Sequence, residues 1–432
     1  MATMPVQLPR AADSQAAARA RFFNSGNAFN VHLPDVPAAS FDIDVLFAED
    51  EREADDEAKA KGSAEGHSET QTSRSPWRLC DQSDALGSPV PATTPLMLAR
   101  YLRLTSDHRD QPLIIPAEDN RHSGSIWYVI AGKGTTEQCG ERFHWGPGDV
   151  FMTVGGVSIS LGVSMDDAVD SSVSAYADEA AGVSVGVSAD VSVDNVPDVG
   201  RNNVSDIRHV VDAPSGALLW CVDNSPLLAH EHVSPTPASA TSHAAVAPLP
   251  VHFPAAEIER QLETLFNTRA NATTSGFALI FSSAAHERSR NLLPTLTLSL
   301  NTLPAGEVQR PHRHNSAAIT LVLSGTACST LVDGVRCDWL PWRTLVTPAG
   351  AWHSHHNDDI QNHTAGDTKA GRARFLIVQD GGLYYLGRTM GFSFAGADAG
   401  DGADGDGDAG AGAGAGAGGD MNVEADAGTH AR

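Results

Sequence analysis

The chain has 432 residues and a formal charge of −24 at pH 7, with 41% hydrophobic residues and 40 glycines. That length suits two domains plus additional segments, and an acidic chain with no basic stripe argues against a nucleic-acid partner. Five cysteines, at positions 80, 139, 221, 328 and 337, form no CxxC pair and read as reduced thiols of a cytoplasmic protein. The first residues lack a signal-peptide apolar core, and no run reaches the roughly 18 apolar residues of a membrane span.

Residues 1–75 are small and charged, with "EDEREADDE" from Glu49 to Glu57, and are expected to form a largely disordered extension. Strand-like runs with Gly/Pro turns follow in "PLMLARYLRLT", "SIWYVIAGKG" and "RFHWGPGDVFMTVGGVSI". The valine-serine-aspartate tract over 166–203 reads as a low-complexity insertion, and "GALLWCVDN" completes a first unit over 76–229. A linker and an amphipathic helix fill 230–270. In that helix, "PAAEIERQLETLF", Ile258, Leu262, Leu265 and Phe266 share one face. A second strand series spans 271–394: "GFALIFSS", "TLTLSLNTL", "AAITLVLSG", "RTLVTPAG", "RARFLIVQD" and "GLYYLGR". Residues 395–432 form a Gly/Ala/Asp tail expected to be disordered.

The two strand series repeat each other. Gly132 falls on Gly325, Trp145 on Trp339, Pro147 on Pro341 and Gly156 on Gly350, which points to two small β-barrels or jelly rolls in tandem. The second series contains G-x5-H-x-H (Gly306, His312, His314) and then P-x4-H-x3-N (Pro348, His353, Asn357). Side chains alternate along a strand, so His312 and His314 share a face while Arg313 points away. A neighbouring strand that carries His353 can bring a third imidazole to the same interior, which makes a divalent-metal site with open positions. The competing reading is a polar loop that carries imidazoles. By parity His355 faces inward with His353, and Trp352 packs on the other face. His356 and Asn357 read as turn residues, and Cys328 and Cys337 as small core residues. Arg310 shares the parity of the histidines and is a candidate for binding an anionic substrate; Arg388 is a looser one.

The two histidine blocks resemble the two motifs of the cupin superfamily. That resemblance implies a mostly β chain of tandem cupin (double-stranded β-helix, jelly-roll) domains, the first degenerate and metal-free and the second metal-binding. The usual fourth ligand, a glutamate seven residues before the glycine, is Ala318 here. "PHRHNSAAITLVLSG" with "TPAGAWHSHHND" resembles the gentisate 1,2-dioxygenase family, whose relatives cleave salicylate and 1-hydroxy-2-naphthoate. This implies Fe(II), or another divalent metal, held by His312, His314 and His353, with His355 as a catalytic residue. It implies extradiol-type cleavage of a hydroxylated aromatic acid with O2, in a homo-oligomer with neither nucleic-acid nor membrane partners. Three positions depart from the family: Thr320 replaces an arginine that meets the substrate carboxylate, Asn301 replaces a pocket glutamine, and Thr297 replaces a tryptophan. Gentisate is therefore not the expected best substrate. The first half places Asp119, Arg121 and Ile159 on the ligand positions, with His122 facing away. Two further readings compete: a non-catalytic bicupin that holds a metal or small aromatic ligand as a sensor or store, and a cupin enzyme using another divalent metal.

Overall fold

The computed structural model describes residues 14–21, 33–48, 75–164, 216–235, 249–267, 277–359 and 371–395. The 166–203 tract, most of the linker and all but the first residue of the tail lie outside the described residues. Within them the chain is mostly β; a short helix over Gln15–Ala18 precedes the first strand, β1 (Ala39–Phe41). The first half then supplies β2 (Trp77–Leu79), β3 (Leu98–Leu104), β4 (Leu113–Ile115), β5 (Gly124–Ala131), β6 (Gly134–Gln138), β7 (Glu141–Trp145), β8 (Val150–Val154), β9 (Ile159–Val163) and β10 (Ala217–Asp223). After β11 (Val251–Phe253) and a helix over Ala255–Asn267, the second half supplies β12 (Phe277–Phe281), β13 (Thr297–Leu303), β14 (His312–His314), β15 (Ala318–Ser324) and β16 (Cys328–Val332). It continues with β17 (Val335–Asp338), β18 (Thr344–Thr347), β19 (His353–Asn357), β20 (Ala373–Gln379) and β21 (Phe392–Phe394).

Each half is a jelly roll of two sheets. In the first, β11-β8-β5-β10-β3-β2 faces β4-β9-β6-β7; in the second, β1-β18-β15-β20-β13-β12 faces β17-β16-β19-β14-β21. The duplication legible in the sequence holds in detail. The Trp145 indole donates to Thr136 Oγ1 at 3.0 Å, and Trp339 donates to Thr330 Oγ1 at 2.8 Å. The Gly156 amide donates to the carbonyl of Asn120, and the Gly350 amide to that of His314.

The halves pack back to back. Trp127, Val129 and Leu219 fill the first barrel, and Ala318, Val322 and Phe375 fill the second. The residues between them on the same strands, Ile126, Tyr128, Trp220, Ile319 and Leu321, form the core shared by both halves. Strand β5 is therefore buried at every position, which explains why "GSIWYVIA" reads as a continuous apolar run rather than an alternation. Polar contacts cross the same boundary. The Tyr101 hydroxyl bonds Thr344 Oγ1 at 2.7 Å, and the Trp220 indole donates to that oxygen at 3.0 Å.

Each half also receives the strand that precedes the other. β1 adds to the second half beside β18, with Phe41 opposite Thr344, and β11 adds to the first half beside β8, with Phe253 opposite Val150. Part of the extension expected to be largely disordered is thus ordered: within 33–48, Ala39–Phe41 join the second barrel's sheet. Ile43 and Phe47 of the following short helix are buried in the shared core, and Arg343 pairs with Asp42 at 2.7 Å. A correction concerns "GLYYLGR". It is a helix, Gly381–Gly387, whose first two glycines are buried, and a Cβ on Gly382 would lie 2.5 Å from the Pro294 carbonyl. The helix Ala255–Asn267 forms as expected and buries Ile258 and Leu262; Leu265 is half-buried, and the side chain of Phe266 lies outside the described residues. Glu259 on that helix takes a two-pronged pair from Arg374 at 2.6 and 2.9 Å.

Phe47→Ala should destabilise the chain by about 3 kcal/mol, the usual cost of truncating a buried phenylalanine. Urea unfolding measures this, and a change below about 0.5 kcal/mol would place the N-terminal segment outside the cooperative fold.

Candidate metal centre

β14 and β19 are adjacent strands of the five-stranded sheet, and His312 lies directly opposite His353. Residues paired in this way point to one face. His314 lies two along on β14 and His355 two along on β19, and all four imidazoles are buried at 7% exposure or less. The ligand atoms of His312, His314 and His353 lie within 4.8 Å of one another, the one cluster of three or more potential metal ligands among the described residues.

Each ring is held by its own neighbourhood. His312 Nδ1 lies 2.9 Å from the Arg310 carbonyl, His314 Nδ1 2.8 Å from the Ser316 carbonyl, and His353 Nδ1 3.0 Å from the Ala351 carbonyl. A carbonyl accepts only a proton, so each Nδ1 carries the hydrogen and each Nε2 presents its lone pair. That arrangement fits a divalent ion: three neutral nitrogen donors with one tautomer fixed by outer hydrogen bonds. Imidazoles suit Fe, Zn, Ni, Cu and Co alike, so the donors define a transition-metal site without naming its metal.

Burial keeps these groups neutral. Desolvation, with a smaller contribution from repulsion between the rings, lowers His314 to about 4 and His353 to about 3. His312 is lowered by burial against an opposing bond to the Arg310 carbonyl. His355, deepest of the four, lies well below the usual imidazole value through burial. It does not join the cluster. Its Nδ1 is 2.8 Å from Thr330 Oγ1, its ring packs against Phe375 at 4.6 Å, and its centroid is 6.2 Å from that of His353.

The other expected site residues divide. Thr320 is buried on β15 and Asn301 on β13, both on the barrel-facing side, with Asn301 donating to Ser299 Oγ at 2.8 Å. Arg310 is not inside. Its exposed guanidinium bonds the Ala395 carbonyl at 3.2 Å and covers the Phe394 ring at 4.6 Å. Arg388 is exposed at the end of the Gly381–Gly387 helix, and Arg313 lies over Trp352 on the outer face. His356 and Asn357 are strand rather than turn residues. Asn357 is fully buried and donates to the carbonyls of Leu303 and Gly371.

Sequence reasoning missed two neighbours. Phe392 on β21 lies opposite His314 and stacks on His312 at 5.2 Å, which makes the last strand an aromatic wall of the site. Gln379, at the end of β20, brings its amide nitrogen 3.4 Å from His314 Nε2.

The first barrel has no such cluster among its described residues. Ile159 holds the place of His353, as expected, but its partner across the strands is Ile115. Asp119 and Arg121 are exposed and lie off the barrel interior. His122 is buried rather than facing away, and desolvation lowers it to about 4.

The depressed values fix a pH dependence. The unfolded chain takes up protons on these histidines below about pH 6.5, whereas the folded chain resists uptake until about pH 4. Their contribution to stability is therefore full above pH 6.5 and is lost as pH falls towards 4. Proton competition with a metal should likewise be weak above about pH 5. Co(II) affinity measured from pH 5.5 to 8 should be nearly flat, whereas ordinary imidazoles would lose it progressively below pH 6.5.

A family model described as a cupin domain matches residues 299–362, which contain the whole three-histidine cluster. A gentisate 1,2-dioxygenase of Aquipseudomonas alcaligenes is 38% identical over 64 residues, covering 15% of this chain and 18% of that protein. A 5-aminosalicylate 1,2-dioxygenase of a Comamonas species is 31% identical over 114 residues, covering 26% and 30%. The matched stretches thus span less than a third of these relatives' length. The salicylate 1,2-dioxygenase of Pseudoaminobacter salicylatoxidans, solved with gentisate, superposes with a TM-score of 0.55 over 86% of this chain and 88% of that one, at 12% identity. At that identity the likeness is one of fold. The fold likeness covers most of both chains, and the cupin-domain match covers residues 299–362 of the second half.

Proposed function

We propose that the chain is a metal-dependent, ring-cleaving dioxygenase that acts on a hydroxylated aromatic acid, with Fe(II) as its metal. The observation that carries this reading is the cluster of three neutral imidazoles inside the second barrel, with no carboxylate among its donors. Relatives that match part of this chain are named as aromatic-acid dioxygenases, which supports the reading. Fe(II) held by His312, His314 and His353 would supply the redox chemistry that activates O2 and the ring.

The chain's own residues bind and orient. A hydroxy acid brings negative charge to three neutral donors, and the burial that keeps the imidazoles neutral strengthens that attraction. Phe392, Phe375 and the apolar barrel wall exclude water and accept a planar ring. His355 holds a proton acceptor or donor beside the site, oriented by Thr330, and we assign it the substrate hydroxyl. Thr320, with Leu345 and Ile377 as its strand partners, offers a hydroxyl and no charge. Among the described residues, the candidate arginines Arg310, Arg313 and Arg388 do not take its place, since each binds elsewhere. A truncated arginine–carboxylate contact costs on the order of 2–5 kcal/mol.

Fe(II)-loaded protein should therefore consume O2 with salicylate-like or bicyclic hydroxy acids, and its kcat/KM on gentisate should be about 100-fold below its best substrate or lower. High efficiency on gentisate would remove Thr320 from the account. Iron-loaded protein that consumes no O2 with any aromatic acid would make the chain a binding protein. His355→Ala should keep metal affinity within about threefold and lower kcat by about 100-fold or more; loss of metal in that variant would make His355 a support for the ligands instead.

A further inference from the structure

The position of the usual fourth cupin ligand is Ala318, and its register partner on β20 is Gln379. The two residues face the same side of the sheet, as directly opposed strand residues do. The methyl group of Ala318 leaves space that a longer side chain from the neighbouring strand can use. Gln379 reaches into it: its amide nitrogen is 3.4 Å from His314 Nε2, and its amide oxygen is 3.4 Å from Ser316 Oγ.

That first distance is informative. With metal–ligand bonds of about 2.1 Å, neighbouring donors around a four- or six-coordinate ion stand roughly 3.0–3.4 Å apart. The Gln379 amide already lies at that spacing from one of the three nitrogens. The His314 Nε2 lone pair can serve an amide N–H or a metal, and not both. A cation there repels the NH2 group and leaves it without an acceptor. A half-turn of the amide, which exchanges oxygen and nitrogen with almost no change of shape, resolves both. The oxygen then faces the cation, and the NH2 group faces Ser316 Oγ. Amide oxygens are competent ligands of divalent ions.

We propose that Gln379 is the fourth protein ligand of the metal centre, bound through its amide oxygen and replacing from β20 the carboxylate that β15 lacks. This rests on the metal-centre reading of the three histidines. A neutral amide in place of a carboxylate leaves the site one negative charge poorer, which favours an anionic substrate as the compensating ligand. It also leaves two positions of a six-coordinate ion for substrate and O2.

The test is Co(II) affinity of the full chain, by competition with a chromophoric chelator, together with the visible spectrum of the Co(II) form. Gln379→Ala and Gln379→Leu should bind Co(II) at least about tenfold more weakly and shift its absorption bands. Gln379→Glu, which keeps the length of the side chain, should bind more tightly than the parent. The double variant Ala318→Glu/Gln379→Ala should recover the affinity lost in Gln379→Ala, because it returns a carboxylate to the register partner. Wild-type affinity and an unchanged spectrum in both Gln379→Ala and Gln379→Leu would overturn the assignment while leaving the three-histidine centre standing. If those two variants do not fold, Gln379→Glu decides alone: an unchanged Kd and spectrum overturn the proposal. Wild-type protein that binds no Co(II) would overturn the centre and this ligand together.

Discussion

Three short hydrogen bonds, each from an imidazole Nδ1 to a carbonyl two residues away in the chain, hold the candidate centre together. They are local, so they form as soon as β14 and β19 adopt their extended conformation. Each satisfies a buried polar hydrogen that would otherwise cost about 1–3 kcal/mol, and each fixes the tautomer that turns Nε2 inward. The barrel then needs only to juxtapose two strands for three lone pairs to converge. This division between local orientation and distant pairing lets a buried, mutually repelling set of histidines coexist with a folded core.

The duplicated fold has been put to two uses. Where the second barrel places His312, His353 and His355 on its interior, the first places Ile115, Ile159 and Leu161, three apolar residues that pack rather than coordinate. Where β20 ends on Gln379 beside His314, β10 ends on Asp223, joined as an ion pair to Arg100 of β3, which also lies over Trp77. The exchanged edge strands and the shared core tie the two together.

The sequence disclosed what depends on short spacing. His312 and His314 stand two residues apart and His353 follows closely on Pro348, so strand parity is enough to orient each block. It concealed what depends on register between distant strands. β1 is three residues long, and its partner lies 300 residues away, so nothing local marks Ile43 and Phe47 as core. Four residues separate Ile115 from Asn120 in the first half where one separates His312 from His314 in the second, and that local insertion put Asp119 and Arg121 onto positions they do not hold. "GLYYLG" was ambiguous for another reason: a short apolar run between glycines fits a strand or a helical turn equally well. Gln379 was invisible because its meaning comes from facing Ala318.

The most direct test of the account is a crystal structure of the iron-loaded chain with anomalous data at the Fe absorption edge. The account predicts one anomalous peak per chain, within about 2.2 Å of the Nε2 atoms of His312, His314 and His353, and none in the first barrel. A peak beside His122 in the first barrel, or iron bound without those three nitrogens, would contradict it.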